Sequence, residues 1–136
     1  MSSNWVKDIK DMQLKFGVDE WMSDPANKDK LRDFLAFRLD FLEEEFDETI
    51  MAFANQDPEE IVDGLIDVCV IAIGTLIAFG VDAEKAWDAV HNANMAKESG
   101  TKPERPNPLG LPDLLKPEGW ENPSHNGNHG NLTNNF

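Results

Sequence analysis

The fold is decided by the stretch Leu65-Ile66-Asp67-Val68-Cys69-Val70-Ile71-Ala72-Ile73, an apolar run that contains a single carboxylate. An ionised carboxylate inside an apolar helix is costly unless a charged group compensates it. Asp63 lies one helical turn before this run, and the acidic segment Glu43–Glu48 lies upstream on another predicted helix. Carboxylates brought together in an apolar interior repel each other, but they become favourable when they share a divalent cation. The stretch therefore indicates a helix that carries part of a metal site.

The composition favours one acidic folded domain. With 136 residues, of which 40% are apolar, the chain can bury a hydrophobic core. A formal net charge of −14 argues against binding to nucleic acid or to an anionic membrane, because phosphate backbones require a basic surface. The charge leaves open a phosphate-bearing substrate whose contact is mediated by a cation.

The cysteine usage and the termini favour a cytoplasmic setting. Cys69 cannot form an internal disulfide and lies in the apolar run, so we interpret it as a buried small hydrophobe. The N-terminal residues contain no apolar signal core. The longest apolar stretch, Val68–Phe79, is too short to span a bilayer.

Helical periodicity predicts four helices and no strands, so we expect an all-α, four-helix-bundle-like fold. The predicted helices cover residues 4–16, 28–54, 58–79 and 83–97. Composition then changes, and the expected organisation is a helical domain over 1–100, a proline-rich extended arm over 101–123 and a disordered tail over 124–136. Apolar residues in the arm indicate that it packs on something.

The third predicted helix has clear end signals. Asp57 is placed as the N-cap, Pro58 suits the first helical position, and Glu60 stands at the third, which forms a variant of the capping box. Gly80 is a good residue to follow the helix C-terminus. Glu60 can act either as part of this cap or as a metal ligand.

Helical phase separates the charged residues of the second helix. At about 100° per residue, Glu45 and Arg38 fall within the apolar stripe, Glu48 lies on its edge, and Glu44 lies further out. We interpret Glu43, Asp47 and Asp40 as a solvated face. Glu45 and Glu48 form an i,i+3 pair that can converge on one cation.

If the second and third helices form an antiparallel hairpin, Glu48 lies level with Asp63, and Glu45 lies level with Asp67 one turn further along. Four carboxylates then meet inside a bundle. Oxygen ligands without Cys or His select hard cations, namely Mg²⁺ with Mn²⁺ as a substitute. A di-iron bundle requires Glu-x-x-His motifs, which this chain lacks.

Three further groups have two interpretations each. Arg38 either forms a buried pair with Glu45 or Asp67 or contacts a phosphate. Lys97 either complements the dipole of the fourth helix or, with Asn94 on the same stripe, contacts a polyphosphate. The third group comprises candidates for a base pocket that can instead be ordinary core or interface aromatics and polar surface residues: Trp5, Gln13, Phe16 and Trp21.

In combination, these segments resemble the MazG-like, all-α nucleoside triphosphate pyrophosphohydrolases. The likeness covers residues 5–123 and is carried by Glu45-x-x-Glu48, Asp63-Gly-Leu-Ile-Asp67, Asn94-x-x-Lys97 and Lys116-Pro-Glu-Gly-Trp120. The last of these motifs is similar to the tail of phage-type members, for which the setting would be the host cytoplasm. The usual second motif is Glu-x-x-Asp, but Gly64 stands three residues before Asp67. Glu60-Ile-Val-Asp63 fits the spacing but leaves Asp67 unexplained, so we prefer Asp63 with Asp67.

The resemblance implies hydrolysis of a nucleoside triphosphate between its α- and β-phosphates. It implies that Mg²⁺ is held by Glu45, Glu48, Asp63 and Asp67, and that Glu44 or Glu45 orients or deprotonates the attacking water. It also implies that Arg38 and Lys97 contact phosphates, that Asn94 positions a phosphate or sugar, and that the chain forms a homodimer or tetramer. Base and sugar preference, and any metal-binding role of Glu44 or Glu60, stay open.

Two other function classes compete with the enzyme hypothesis. An acidic helical inhibitor that mimics DNA would use the −14 charge to occupy a basic site, but it would point its carboxylates outward. That hypothesis leaves Glu45 and Asp67 on apolar faces unexplained. A catalytically inactive family member kept as a structural oligomer is the third possibility.

Overall fold

The computed structural model describes residues 4–104 and 108–135, and these are mostly helical. They form two compact units, one from residues 4–83 with 129–135 and one from residues 84–104 with 108–128. The helices are α1 Trp5–Lys15, α2 Val18–Ser23, α3 Leu31–Ala54, α4 Pro58–Ala78 and α5 Ala83–Met95. Two 3₁₀ helices, Pro25–Lys30 and Leu132–Asn135, and two short strands, β1 Glu98–Gly100 and β2 Asp113–Leu115, complete the described elements. The all-α class is confirmed.

Helix α1 begins and ends as its sequence predicts. The Asn4 side chain accepts a hydrogen bond of 2.9 Å from the backbone N–H of Lys7, which caps the first turn. Gly17 follows the helix with φ of 78°, a left-handed conformation that glycine adopts at little cost. The chain can therefore turn directly into α2.

The segment before α3 is more ordered than its turn-like sequence indicates. The carboxylate of Asp24 accepts from the backbone N–H of Ala26 at 2.9 Å, and Pro25 opens a 3₁₀ helix. Asn27 is buried, and its amide donates to the carbonyl of Trp21 at 3.0 Å. These local bonds produce α2 and the 3₁₀ helix, so α3 begins at Leu31 rather than at residue 28.

The predicted cap of α4 is confirmed. The Asp57 side chain accepts from the backbone N–H of Glu60 at 3.1 Å, and Pro58 occupies the first helical position. Gly80, with φ of 77°, follows the helix as expected. By length and composition alone, this 21-residue helix is also apolar enough to cross a membrane, a test that the core helix of a soluble protein passes as well.

An aromatic stack lies at the centre of the larger unit. Phe79 is fully buried, and its ring centroid lies 5.9 Å from that of Phe34, which in turn lies 5.3 Å from that of Trp21. Aromatic rings at such spacings add to the free energy gained from burial. Further buried apolar residues of this unit are Ile9, Leu31, Ala52, Ile71, Ala78, Val81 and Ala83.

The second unit contains a small antiparallel hairpin that the sequence analysis does not predict. Glu98 pairs with Leu115 and Gly100 pairs with Asp113. The buried carboxylate of Asp113 also accepts from the backbone N–H of Lys102 at 3.2 Å. Three-residue strands are too short to show alternation, so a pattern search for strands misses them. The expected arm therefore includes a strand that pairs with the residues following α5.

The C-terminal residues differ from the disordered tail that their composition indicates. The backbone N–H of Asn131 donates to the carbonyl of Phe79 at 2.7 Å, and a 3₁₀ helix follows. Gly130 approaches the same carbonyl so closely that a Cβ atom there would overlap it. The carbonyl groups at the C-terminus of α4 supply this contact, which composition cannot reveal. The expected arm and tail include residues 105–107 and 136, which lie outside the described residues.

Candidate active site

Two independent contacts set the register between α3 and α4. Gly64 meets Thr49, and the hydroxyl of Thr75 accepts a 3.0 Å hydrogen bond from Nε of Arg38. Arg38 precedes Thr49 by eleven residues, and Thr75 follows Gly64 by eleven residues. The two helices are therefore antiparallel, and they keep the same register at both contacts.

This register brings the predicted carboxylates to the same level of the helix pair. Glu48 immediately precedes Thr49 and Asp63 immediately precedes Gly64, so both lie beside the same contact. Glu45 and Asp67 lie about one turn further along, as helical phase predicts. Glu45 and Asp67 are half-buried, whereas Glu48 and Asp63 are exposed in the chain.

The electrostatics of Glu45 show that these groups interact. The pKa of Glu45 is raised above the ordinary carboxyl value. Its own burial is the largest cause, followed by the charges of Glu48, Asp67, Asp63 and Glu44. Each of these effects disfavours the ionised form. The helix pair therefore holds mutually repelling carboxylates, and Glu45 experiences the charge of all the others.

The carboxylates fit a hard divalent cation by their chemistry. Oxygen donors that repel one another are stabilised when they bind a shared positive charge. Within residues 4–104 and 108–135, no group of three such side chains is already close enough to hold an ion. The donor set is therefore present as a loose cluster on two rigid helices, and the assignment of Glu45, Glu48, Asp63 and Asp67 as ligands stays a prediction.

Gly64, where the resemblance leads us to expect a ligand, has a packing role. A Cβ atom at this position would overlap the hydroxyl oxygen of Thr49 and lie 3.3 Å from its Cβ atom. The Thr49 hydroxyl in turn donates to the carbonyl of Glu45 at 2.7 Å. Close approach of the two backbones thus requires glycine, and an isolated glycine inside a helix was the signal in the sequence.

Arg38 bridges α3 to α4 through neutral acceptors. Its Nη2 donates to the carbonyl of Ile71 at 3.0 Å, in addition to the bond from Nε to Thr75. Among the residues that the structure describes, it forms no ion pair with Glu45 or Asp67, so the buried-pair interpretation is wrong. Burial lowers the pKa of the Arg38 guanidinium from its ordinary value. A positive charge that no carboxylate of the described residues pairs with therefore lies on the same helix pair as the carboxylates.

The candidates for a base pocket are mostly placed elsewhere. Gln13 is only 4% exposed, and its Nε2 donates to the carbonyl of Gly74 at 2.7 Å, so it joins α1 to α4. Trp21 belongs to the core aromatic stack. Trp5 and Phe16 are exposed in the chain. The structure thus favours the core interpretation for Gln13 and Trp21.

Asn94 and Lys97 lie in the second unit. Asn94 is exposed on α5, and its carbonyl accepts a 3.1 Å bond from the backbone N–H of Lys97, just beyond the helix. The ammonium of Lys97 lies 5.3 Å from the centroid of the Trp120 ring. Substrate contact by Arg38, Asn94 and Lys97 stays a prediction.

Comparison with known proteins identifies the relatives of this helix pair. The model of the phosphoribosyl-ATP pyrophosphohydrolase family matches residues 19–94, a range that contains Arg38 and all of the candidate carboxylates. No curated protein matches the chain. The family lies within the MazG-like all-α pyrophosphohydrolase superfamily, so the resemblance is confirmed at that level.

The match also establishes the class of reaction. Members of this family are pyrophosphohydrolases, which act on the phosphoanhydride bonds of nucleotides and generally depend on a divalent metal. The matched range covers more than half of the 136 residues. The chain therefore belongs to the phosphoribosyl-ATP pyrophosphohydrolase family.

Proposed function

We propose that this chain is an Mg²⁺-dependent nucleoside triphosphate pyrophosphohydrolase. Water would add across the bond between the α- and β-phosphates, giving a nucleoside monophosphate and pyrophosphate. The observation that carries the proposal is the register of α3 and α4, which aligns Glu45, Glu48, Asp63 and Asp67 and leaves Glu45 with a raised pKa. A substrate phosphate chain is the ligand that a carboxylate-bound cation recruits in a chain of net charge −14.

The roles of the residues follow from their positions on the helix pair. The ion, Mg²⁺ or Mn²⁺ in its place, would be held by Glu45, Glu48, Asp63 and Asp67. The bound ion would neutralise charge that develops on the phosphates and acidify a water molecule. Glu44 or Glu45 would orient that water and accept its proton, because a base must lie within reach of the nucleophile.

Cationic and amide groups would bind the substrate. Arg38 has no carboxylate partner in the described residues, so its charge is available to a phosphate if its bonds to Thr75 and Ile71 rearrange or if its remaining donors are used. Lys97 would contact a second phosphate, and Asn94 would position a phosphate or the sugar.

A homo-oligomer, either a dimer or a tetramer, forms part of the proposal. Large apolar side chains of α3 and α4 are exposed in the single chain, and contiguous apolar patches on soluble proteins commonly mark interfaces. They include Phe46, Ile50, Phe53, Val62, Leu65 and Ile66. We further propose that the protein is a phage-type member of the MazG-like group that acts in the host cytoplasm.

The acidic-inhibitor hypothesis is weaker. Glu48 and Asp63 are exposed, as a DNA mimic requires, but Glu45 and Asp67 are half-buried against the partner helix. Family membership also supports catalysis. A protein whose only role is to present negative charge is expected neither to half-bury Glu45 and Asp67 nor to belong to a family of hydrolases.

Pyrophosphate release from a panel of nucleotides tests the proposed reaction. The panel should contain the four NTPs, the four dNTPs and phosphoribosyl-ATP, each with and without Mg²⁺. The proposal expects release from at least one triphosphate, and only when the metal is present. Release from phosphoribosyl-ATP alone would retain the reaction but overturn the proposed substrate. No release from any member would overturn the function.

A further inference from the structure

The β1–β2 hairpin brings two lysines together. Glu98 pairs with Leu115 at one end of the antiparallel ladder. Lys97 immediately precedes Glu98 and Lys116 immediately follows Leu115, so the register carries the two lysines to adjacent positions just beyond the paired residues. Like charges opposite each other on paired strands are destabilising. The hairpin therefore places two like charges at neighbouring positions, where they repel each other.

Trp120 is the common contact of both lysines. The Nζ atom of Lys97 lies 5.3 Å from the centroid of the Trp120 ring, and that of Lys116 lies 5.1 Å from it. The two ammonium groups can therefore be no further apart than the sum of these distances. The indole Nε1 donates to the carbonyl of Ala93 at 2.7 Å, near the C-terminus of α5, which anchors the ring. Cations at such distances are attracted by the face of tryptophan.

Neither lysine has an anionic partner among the residues that the structure describes. In residues 4–104 and 108–135, no carboxylate forms an ion pair with Lys97 or Lys116. The chain has 26 acidic and only 12 basic residues, so two unpaired lysines at one ring are not expected from composition. An external anion with more than one negative group would relieve their mutual repulsion.

We propose that Lys97, Lys116 and Trp120 form a two-lysine clamp for the phosphate chain of the nucleotide substrate. Lys97 and Lys116 would each donate to phosphate oxygens, and Trp120 would be the positioning residue that holds both side chains. The clamp rests on the proposed function for its substrate but not for its geometry. It adds Lys116 as a substrate-binding residue and gives the proline-rich arm a function.

The clamp lies beyond the part of the chain that the family model matches. That match ends at Asn94, before all three residues of the clamp. Lys116 and Trp120 both come from the arm, and the hairpin and the anchor on Ala93 hold the arm against the end of α5. The arm therefore supplies phosphate contacts that the matched helices do not contain.

Titration of the full chain with inorganic pyrophosphate tests the clamp without catalysis. The four tryptophans give indole N–H signals in an NMR spectrum, and the Trp120→Phe variant identifies the signal of Trp120. We expect that signal to move as pyrophosphate binds. Lys97→Ala and Lys116→Ala should each weaken binding by about tenfold, the scale of one charge-assisted hydrogen bond. Lys10→Ala, which removes an exposed lysine of α1, is the matched control and should bind as wild type does.

The role of the ring needs its own pair of variants. Both variants, Trp120→Phe and Trp120→Leu, lack the indole signal, so their affinity for pyrophosphate is measured by calorimetry. Trp120→Phe loses the bond to Ala93 but keeps an aromatic face, whereas Trp120→Leu loses both. Only Trp120→Leu should therefore weaken pyrophosphate binding as much as Lys116→Ala does. Adding Lys116→Ala to Trp120→Leu should lower the affinity for pyrophosphate little further, because each substitution alone already disrupts the same clamp. Melting curves show whether each variant is folded, and Lys116→Gln replaces Lys116→Ala if the latter is not.

The outcomes separate the clamp from the proposed reaction. Unchanged pyrophosphate affinity in folded Lys116→Ala would overturn the clamp, even if wild type releases pyrophosphate from a triphosphate. Loss of affinity in Lys97→Ala, Lys116→Ala and Trp120→Leu would support the clamp, even if no triphosphate is hydrolysed. In that second case the proposed function fails while the binding site stands.

Discussion

Thr49 and Gly64 pack so closely across α3 and α4 that a single added methyl group at Gly64 would overlap the Thr49 hydroxyl. Glu48 and Asp63 are the residues immediately before them. The contact that sets the distance between the helices therefore also sets the position of two candidate ligands. Stability and site geometry are linked at this point of the fold.

Gly64→Ala is expected to destabilise the protein by about 1–3 kcal/mol, the usual cost of overpacking a close contact. Thr49→Ala removes the hydroxyl that the new methyl group would meet, so the double variant should recover part of that loss. Thermal or denaturant unfolding of the wild type, both single variants and the double variant measures the coupling. Purely additive effects would show that Thr49 and Gly64 do not determine the helix spacing.

Arg38→Met is expected to leave stability within about 1 kcal/mol of wild type, because it removes two hydrogen bonds but also an unpaired, half-buried charge. The same variant should raise KM by about tenfold if Arg38 contacts a phosphate, which is the worth of one charge-assisted bond. Arg32→Met, an exposed arginine on the same helix, is the matched control. An unchanged KM in folded Arg38→Met would remove Arg38 from the substrate site.

Glu45 should make the stability of the metal-free protein depend on pH. The folded chain holds a proton on Glu45 more tightly than the unfolded chain does, because the pKa of Glu45 is raised in the fold. Stability contributed by the protonated group is thus fully present below the ordinary carboxyl pKa and is lost as the pH rises through the raised value.

Glu45→Gln cannot lose a proton, so in metal chelator its Tm should exceed that of wild type above this window and match it below. Mg²⁺ at a hundred times its Kd should stabilise wild type by about 2.7 kcal/mol. The same concentration should stabilise Glu45→Gln less, because that variant lacks one of the proposed ligands. Glu43→Gln, on the solvated face, should behave as wild type does. A Tm difference that stays constant with pH would contradict the raised pKa.

Phe53→Glu is expected to lower the molar mass of the assembly in light scattering, towards the 15.3 kDa of one chain. Phe53 is 75% exposed on α3, and a charge there would be costly in an apolar interface. Phe16→Glu is a matched control, because Phe16 is 71% exposed but lies beyond α1 rather than on α3 or α4. A monomeric wild type, or an assembly unaffected by Phe53→Glu, would contradict the proposed interface.

Helical periodicity and capping residues predicted α1, α3, α4 and α5 to within a few residues, because these signals are local. Asp57 illustrates this, since its cap is made within a single turn. The bonds that depend on distant residues could not be predicted in this way. One of the two interpretations of Arg38 paired it with Glu45 or Asp67, but its partners within the chain are Thr75 and Ile71, which only the packing of α3 on α4 brings within reach.

The proline-rich arm also depends on contacts between distant residues, which local sequence signals cannot predict. Composition predicted an extended arm that packs on something, and that stays a prediction. The strands β1 and β2 were not predicted, because three residues are too few to show an alternating pattern. The adjacency of Lys97 and Lys116 depends on the register of that hairpin. The tail was expected to be disordered from its Asn and Gly content, whereas its bond to Phe79 uses backbone groups alone, which any sequence possesses.

The proposed metal site is tested most directly by pyrophosphate release in Mg²⁺ by wild type, Glu48→Gln, Asp67→Asn and the control Glu43→Gln. The two substitutions in the cluster keep side-chain shape and remove one charge from each helix. We expect each of these two substitutions to lower kcat/KM by about a hundredfold or more, while Glu43→Gln retains nearly full activity. Equal activity in wild type and both cluster variants would contradict the claim that the carboxylates of α3 and α4 form a catalytic metal site.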